Sequence, residues 1–382
     1  PYLTYLYPKL LSRFSNFTVF KFEDSSTNNF IHLINEDDLN LIQKNTIYRN
    51  APKPNIMALI SFMLEVIKNW RPALYLYKKA RLQGYKHHQA LGQIYYNSRL
   101  LGKKYDLVYI NALQSARHFC LRGLFTKTSI VVSARGQDFD FHPDAYDRVL
   151  KEIDHLHTLG TYLKKKATAK GFPKQNITII PPAALPVNIS AANGKRPDDK
   201  IVICSASRLA WTKGHVYALR AIKIVLEAIP DVKLSYKIIG DGPAKELIIL
   251  ETKRLGLSPH VKLLGWRSQD EVNAMVANSD IYLHLSIEEG FNNSVLQAQN
   301  LGIPCIVSDA GGLPENVEHE ATGFVVQRYN VDVAAQRIIQ LIQDHALRIE
   351  MGDNARIRAT NEFSLEKQVA AYASMFEKIM GG

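Results

Sequence analysis

From about residue 106 the chain settles into a regular alternation. Short β-type runs at 106–110, 129–133, 155–159 and 177–180 read as buried strands, and 112–124, 143–153 and 161–170 carry helical spacing between them. Strands alternating with helices at this interval imply a parallel sheet covered on both faces. The pattern stops at 185–200 (LPVNISAANGKRPDDK), a polar segment rich in turn formers, where a domain boundary is expected. It then restarts. Strands are expected at 201–205, 232–239, 261–265, 281–285 and 304–308, and helices from 331 to the C-terminus. Two α/β domains of this kind bind ligands at the carboxyl ends of their strands.

Before residue 106 the pattern is less regular. Residues 1–17 read as a helix entered from a loop, 18–22 and 29–33 as short strands, and 55–104 as helical. A doubly wound domain usually opens on a buried strand, and that strand is expected upstream of Pro1. The longest apolar stretch, 56–70, contains Glu65, Lys68 and Asn69, and crossing a bilayer takes ~20 apolar residues.

Composition narrows the class. With 382 residues, 46% hydrophobic and 22% charged, the chain is an ordinary globular protein with material for two cores. Cys120, Cys204 and Cys305 are far apart and form no CxxC pair, which argues against a zinc site or disulfide framework and for a reducing cytosol. The net charge of +11 is unevenly placed, at +13 over residues 1–190 and −2 over the rest. The first half therefore expects an anionic partner. Within 55–104, Trp70, Tyr75 and Tyr77 interleave with Lys78, Lys79, Arg81, Lys86, His87 and His88, which suits an anionic membrane surface. The alternative there is a solvated helical insertion with its aromatics in a core. Nucleic acid is not the expected partner.

The candidate chemistry lies in the second half. The run 280–285 ends at Ser286 and leads through Glu288, Glu289, Gly290 and Phe291 into a helical stretch at 293–301. A strand, a glycine turn and a helix N-terminus make an anion site in any α/β fold. Arg208 and Lys213, in SASRLAWTKGH, sit on the loop after the first strand of the same domain, where a guanidinium fork and an ammonium can converge on one diphosphate. Gly240-Asp241-Gly242 follows a strand as a dinucleotide fingerprint would, but its third glycine position is Lys245.

These motifs resemble those of the retaining GT-B glycosyltransferases, in particular glycosyltransferase family 4. That family carries Glu-Gly-Phe with a second Glu eight places after the first, and an R-L-x-x-x-K-G loop. Here the first Glu is Glu289, the eighth place is Gln297, and the loop is Arg208 to Gly214. The resemblance is strong over 201–326, moderate over 106–182 and weak before 105. It implies a GT-B fold of two Rossmann-like domains facing a cleft. Residues 1–185 would hold the acceptor, 186–200 would be the linker and 201–364 the nucleotide-sugar domain, with helix 365–382 crossing back to the first domain.

The implied reaction is transfer of a hexosyl group from a UDP- or GDP-linked sugar to a glycan or lipid-linked acceptor, by front-face displacement with retention, in bacterial surface polysaccharide synthesis. By the same resemblance Arg208 and Lys213 neutralise the leaving diphosphate and Glu289 accepts from hydroxyls of the donor sugar. The backbone of Gly290, Phe291, Asn292, Asn293, Ser294 and Val295 forms an N–H cradle. Gln297 keeps an oxygen that can accept from the nucleotide ribose. Gly240 lies near the nucleotide, and Trp266 and Arg267 frame the base. On the acceptor side are Asp138 and Arg135, the latter where the family often has His before Gly136. Asp138-Phe139-Asp140 imitates an Asp-x-Asp metal motif. No bound metal and no cofactor are expected, because two cations do the work of Mg²⁺. The location implied is cytoplasmic, peripheral on the inner face of the membrane. Two other readings stay open, a nucleotide-sugar epimerase and a non-catalytic sugar-nucleotide-binding module. A two-carboxylate hydrolase does not, since one of its two acids would be the amide of Gln297.

Overall fold

The computed structural model describes residues 19–22, 46–49, 56–117, 119–136, 138–140, 144–185, 187 and 200–381. The chain forms two compact units. One comprises residues up to Thr158, Lys164–Ile180 and the end of the chain from Val369; the other comprises Leu159–Leu163 and Pro181–Gln368. The expected helix at 1–17 and strand at 29–33 lie outside the described residues, as does most of the expected linker.

In the first unit, β1 (Val19–Phe22) pairs in parallel with β2 (Thr46–Arg49). Helices α1 (Ile56–Lys68), α2 (Trp70–Leu82) and α3 (His87–Asn97) follow. The second sheet of this unit is parallel, in the order β3 (Leu107–Ile110), β4 (Ser129–Ala134), β5 (His155–Thr158), β6 (Ile177–Ile179). The helix expected over 112–124 is broken into α4 (Leu113–Ala116) and α5 (Leu121–Leu124). At the break the Cys120 N–H donates to the Gln93 side chain of α3, out of the helical ladder. Helix α6 (Asp147–Glu152) is shorter than the expected 143–153, and α7 (Thr161–Ala169) follows β5.

The second unit holds one six-stranded parallel sheet. Its order is β12 (Gly323–Val326), β11 (Cys305–Ser308), β10 (Ile281–His284), β7 (Ile201–Ala206), β8 (Leu234–Ile239), β9 (Val261–Leu263). The period of two along each strand sorts side chains onto two faces. Ile203, Ile281, Leu283 and Ile306 join one core with α8 (His215–Ala228) and α13 (Val331–Gln343). Cys204, Tyr282, Cys305 and Val307 join the other, against α10 (Gln269–Ala277), α11 (Asn293–Asn300) and α12 (Leu313–Asn316). Helix α9 (Lys245–Arg254) lies between β8 and β9 in sequence. Strand β12 is an addition to the five expected; four residues after a turn are too few to show a period. Helix α14 (His345–Glu362) precedes α15 (Leu365–Gly381), whose Tyr372, Met375 and Phe376 pack with Val131 and Ile180 of the first unit.

In this strand order the sequence direction reverses between β7 and β10, which lie side by side. Connections leave that pair towards opposite edges of the sheet, so their loops diverge and open a crevice beyond the carboxyl ends. The loops in question are 207–214 and 285–292.

Candidate active site

The backbones of these two loops are stitched together. The Thr212 carbonyl accepts from both the Ile287 N–H and the Ser286 hydroxyl, each at 2.8 Å. Gly214 sits at φ +68°, and a Cβ there would lie 1.7 Å from the Leu285 carbonyl oxygen. Only glycine allows so close an approach. A third loop joins behind: a Cβ on Gly312 would lie 1.8 Å from the Gly290 carbonyl oxygen, and the Gly312 N–H donates to the Glu289 carbonyl at 2.8 Å.

This framework brings Lys213 Nζ to 2.6 Å from Glu289 Oε2. The pair is largely withdrawn from water, with side-chain exposures of 17% and 9%. The same oxygen is approached by Asn292 Nδ2 at 3.1 Å, Ser286 Oγ at 3.3 Å and His284 Nε2 at 3.4 Å. All four groups meet Oε2, and Oε1 has no protein partner among the described residues. Burial by itself pushes the Glu289 carboxyl up. Hydrogen bonding and charge from His284, together with the Lys213 ammonium, outweigh burial and hold the carboxyl at about 2.

Asn292 explains how the cluster is oriented. Its Oδ1 caps α11, accepting from the Val295 N–H at 2.9 Å and the Ser294 hydroxyl at 3.0 Å. That fixes Nδ2 as the atom facing Glu289 and His284, whose Nε2 lies 2.9 Å away. A neutral His284 therefore accepts from Asn292 through Nε2, while a protonated ring donates to Glu289. His215 is also buried beside this cluster, with Nε2 2.9 Å from the Ser207 hydroxyl. Burial, then the neighbouring His284 and Lys213, push it down to about 3, so it is neutral at pH 7. Neither histidine stood out in the sequence. A lone His in an apolar strand reads as core, and the Lys-Gly-His string was the one available signal for His215.

Other expected site residues fall in several places. Arg208 is exposed on the loop that carries Lys213. Gly240 backs that loop, since a Cβ there would lie 1.9 Å from the Ser207 carbonyl oxygen. Trp266 is 65% exposed, and Arg267 bonds back to its carbonyl. Gln297 lies on α11 with a buried Nε2 that has no hydrogen-bond partner. The expected N–H cradle needs correction. The Asn292 N–H already donates to Asn316 Oδ1 and the Val295 N–H to Asn292 Oδ1. The side chains of Phe291 and Val295 are core, the former against Phe363. Gly290 is held by the Gly312 contact, and Asn293 and Ser294 open α11, where N–H groups lack intrahelical acceptors.

In the first unit, Asp138 Oδ2 accepts from the Arg135 N–H at 2.6 Å. Burial pushes this carboxyl up to about 6, against the lowering effect of Arg135 and Tyr146. The Arg135 Nε lies 3.2 Å from the Ser133 hydroxyl, and Asp140 pairs with Lys166 at 2.9 Å.

The second unit matches a described family: residues 188–358 fit the family model of the glycosyl transferases group 1. The chain is similar to N-acetyl-alpha-D-glucosaminyl L-malate synthase of Bacillus anthracis, at 31% identity across 173 residues, 44% of this chain and 45% of that one. It is also similar to an Escherichia coli UDP-Gal:alpha-D-GlcNAc-diphosphoundecaprenol alpha-1,3-galactosyltransferase, at 30% identity across 174 residues, 45% of this chain and 44% of that one. The chain thus spans about half the length of the curated relatives it matches. Among solved structures, Anabaena HepE in complex with UDP and glucose superposes with a TM-score of 0.70 at 16% identity, covering 98% of this chain and 95% of that one. The fold is therefore of the GT-B class.

Proposed function

We propose that this chain is a retaining glycosyltransferase of the family 4 type. It moves a hexosyl group from a UDP- or GDP-linked sugar to a glycan or lipid-linked acceptor in bacterial surface polysaccharide synthesis. The observation that carries this reading is the buried Lys213–Glu289 pair at the switch point, with four groups on Oε2 and none on Oε1. A carboxylate held ionised with one oxygen left over is suited to accept from a sugar hydroxyl and to favour positive charge at the anomeric carbon. UDP and glucose in the similar HepE structure support the donor class.

In this reading Arg208 and the Lys213 ammonium take the diphosphate, and Glu289 Oε1 takes the donor sugar. Gly290, Phe291, Asn293 and Ser294 offer backbone to sugar and phosphates, Gln297 meets the ribose, and Gly240, Trp266 and Arg267 line the nucleotide. Arg135 and Asp138 serve the acceptor. The acceptor oxygen bonds to the anomeric carbon on the face from which the diphosphate departs. The diphosphate leaves with the bonding electron pair and takes the acceptor's proton on a phosphate oxygen. No metal is needed for that charge balance. The basic first half takes an anionic bilayer as its partner, on the cytoplasmic face.

Glu289→Ala tests the assignment. Transfer from the nucleotide sugar should fall by about 10²–10³ in kcat while the circular dichroism spectrum stays that of the wild type. Normal turnover in a folded variant removes Glu289 from the site, and wild-type protein that neither transfers nor hydrolyses any UDP- or GDP-sugar leaves a binding module instead.

A further inference from the structure

Four groups crowd Glu289 Oε2, but they do not all have a proton to give it. Ser286 has one hydroxyl proton, and the Thr212 carbonyl at 2.8 Å takes it in preference to Oε2 at 3.3 Å. His284 Nε2, in the neutral ring, accepts from Asn292 Nδ2 at 2.9 Å and has no proton left for the carboxylate. Two donors remain, the Lys213 ammonium at 2.6 Å and Asn292 Nδ2 at 3.1 Å. They are held very differently. Lys213 reaches Oε2 on a flexible four-carbon stem. Asn292 is fixed at every polar group. Its N–H donates to Asn316 Oδ1 and its carbonyl accepts from Asn316 Nδ2, each at 3.0 Å. Its Oδ1 caps α11, and its two Nδ2 protons go to His284 and Glu289. Asn292, His284 and Asn316 are 5%, 2% and 0% exposed. Asn292 has therefore given up its rotamer freedom in folding and holds Oε2 at no further entropic cost.

We propose that Asn292 is a positioning residue for sugar transfer, braced by His284, and that it holds Glu289 by Oε2 while the Lys213 ammonium turns to the departing diphosphate. The inference rests on the reading of Glu289 as the carboxylate that faces the donor sugar. In that reading Glu289 and the diphosphate compete for one ammonium. As the bond to the anomeric carbon breaks, negative charge grows on the phosphate oxygens and draws Lys213 towards them. Asn292 is then the one donor left on Oε2, and it keeps Oε1 on the sugar. The titratable groups facing Oε2 are Lys213 from the 207–214 loop and His284 from β10, with His215 of α8 beside them.

The competing role for Asn292 is a helix cap alone, and substitution separates the two. Ser and Asp cap a helix as Asn does, but neither supplies the Nδ2 protons. Turnover is measured as hydrolysis of whichever of UDP-glucose, UDP-galactose, UDP-N-acetylglucosamine and GDP-mannose the wild type cleaves fastest, and binding of UDP or GDP by calorimetry. Asn292→Ser should lower kcat about tenfold or more, with KM and nucleoside diphosphate affinity within about twofold of the wild type. Asn292→Asp sets a second carboxylate against Oε2, so the acid limb of its kcat profile should move up by about one pH unit or more. His284→Leu should lower kcat as Asn292→Ser does, and His284→Gln, whose side-chain oxygen can accept from Nδ2, should recover most of the loss. Where circular dichroism shows Asn292→Ser unfolded, Asn292→Asp, which keeps both volume and cap, carries the test. The inference alone is overturned if folded Asn292→Ser keeps the wild-type kcat, if kcat and nucleoside diphosphate affinity fall together, or if the acid limb of Asn292→Asp does not move. A wild type that hydrolyses none of the four sugars overturns the donor-site reading and this inference with it.

Discussion

Replacing Lys213 with Ala removes an ammonium 2.6 Å from a carboxylate that is 9% exposed. In the wild type the carboxyl of Glu289 lies at about 2, against an ordinary value of 4.5. That difference corresponds to about 3 kcal/mol of preference for the carboxylate in the folded state, shared between His284 and Lys213. Because the folded value is the lower one, this stabilisation is complete above about pH 4.5 and disappears as the pH falls towards 2. In the variant burial prevails, the carboxyl rises, and acid stabilises the folded protein by protonating it. At pH 7 the expected loss is about 3 kcal/mol, at the low end of the ~3–5 kcal/mol that breaking a buried pair costs. For a unit of this size that is roughly 6–12 °C in Tm. Urea unfolding followed by circular dichroism, repeated from pH 7 to about pH 4, measures the gap between the two proteins. The gap should narrow steadily with acidification. A gap that stays constant, or no gap at pH 7, refutes the argument that Lys213 holds a buried, ionised Glu289.

Arg208→Ala should leave stability unchanged, since the side chain is exposed, and weaken nucleoside diphosphate binding by about tenfold or more in calorimetry; equal affinity would take Arg208 out of the donor site. Asp138 titrates in the opposite sense to Glu289. Its folded value, about 6, lies above its ordinary 3.8, so the stability linked to its proton is present below pH 4 and lost as the pH rises through 6. Asp138→Asn should therefore gain stability relative to the wild type between pH 4 and 7, and a gap that does not widen over that range would show Asp138 to be solvated. Transfer should persist in EDTA, and its loss would return Asp138 and Asp140 to consideration as a metal site.

Much of this architecture was readable before any coordinates. The apolar runs that become β4, β7, β8, β10 and β11 are buried on both faces, so their sequences announce them whatever surrounds them. Shorter elements were not so visible. Strand β12 is four residues at a sheet edge, and the break between α4 and α5 coincides with a hydrogen bond from Cys120 to Gln93, 27 positions away. The N–H cradle is narrower than expected for a related reason: spacing shows which backbone groups begin a helix, but not that Asn316 and the Asn292 side chain already occupy two of them.

Taken alone, the order of residues determined the parallel α/β class and the two loops that carry Arg208, Lys213 and Glu289. These depend on local periodicity and on short strings of residues, which the chain carries wherever it goes. Only the folded arrangement decided that β7 and β10 lie side by side, and hence that Lys213 pairs with Glu289 and His284 and Asn292 stand behind it. Residues 76 positions apart meet because strand order is a property of the whole sheet, settled by the packing of both its faces at once.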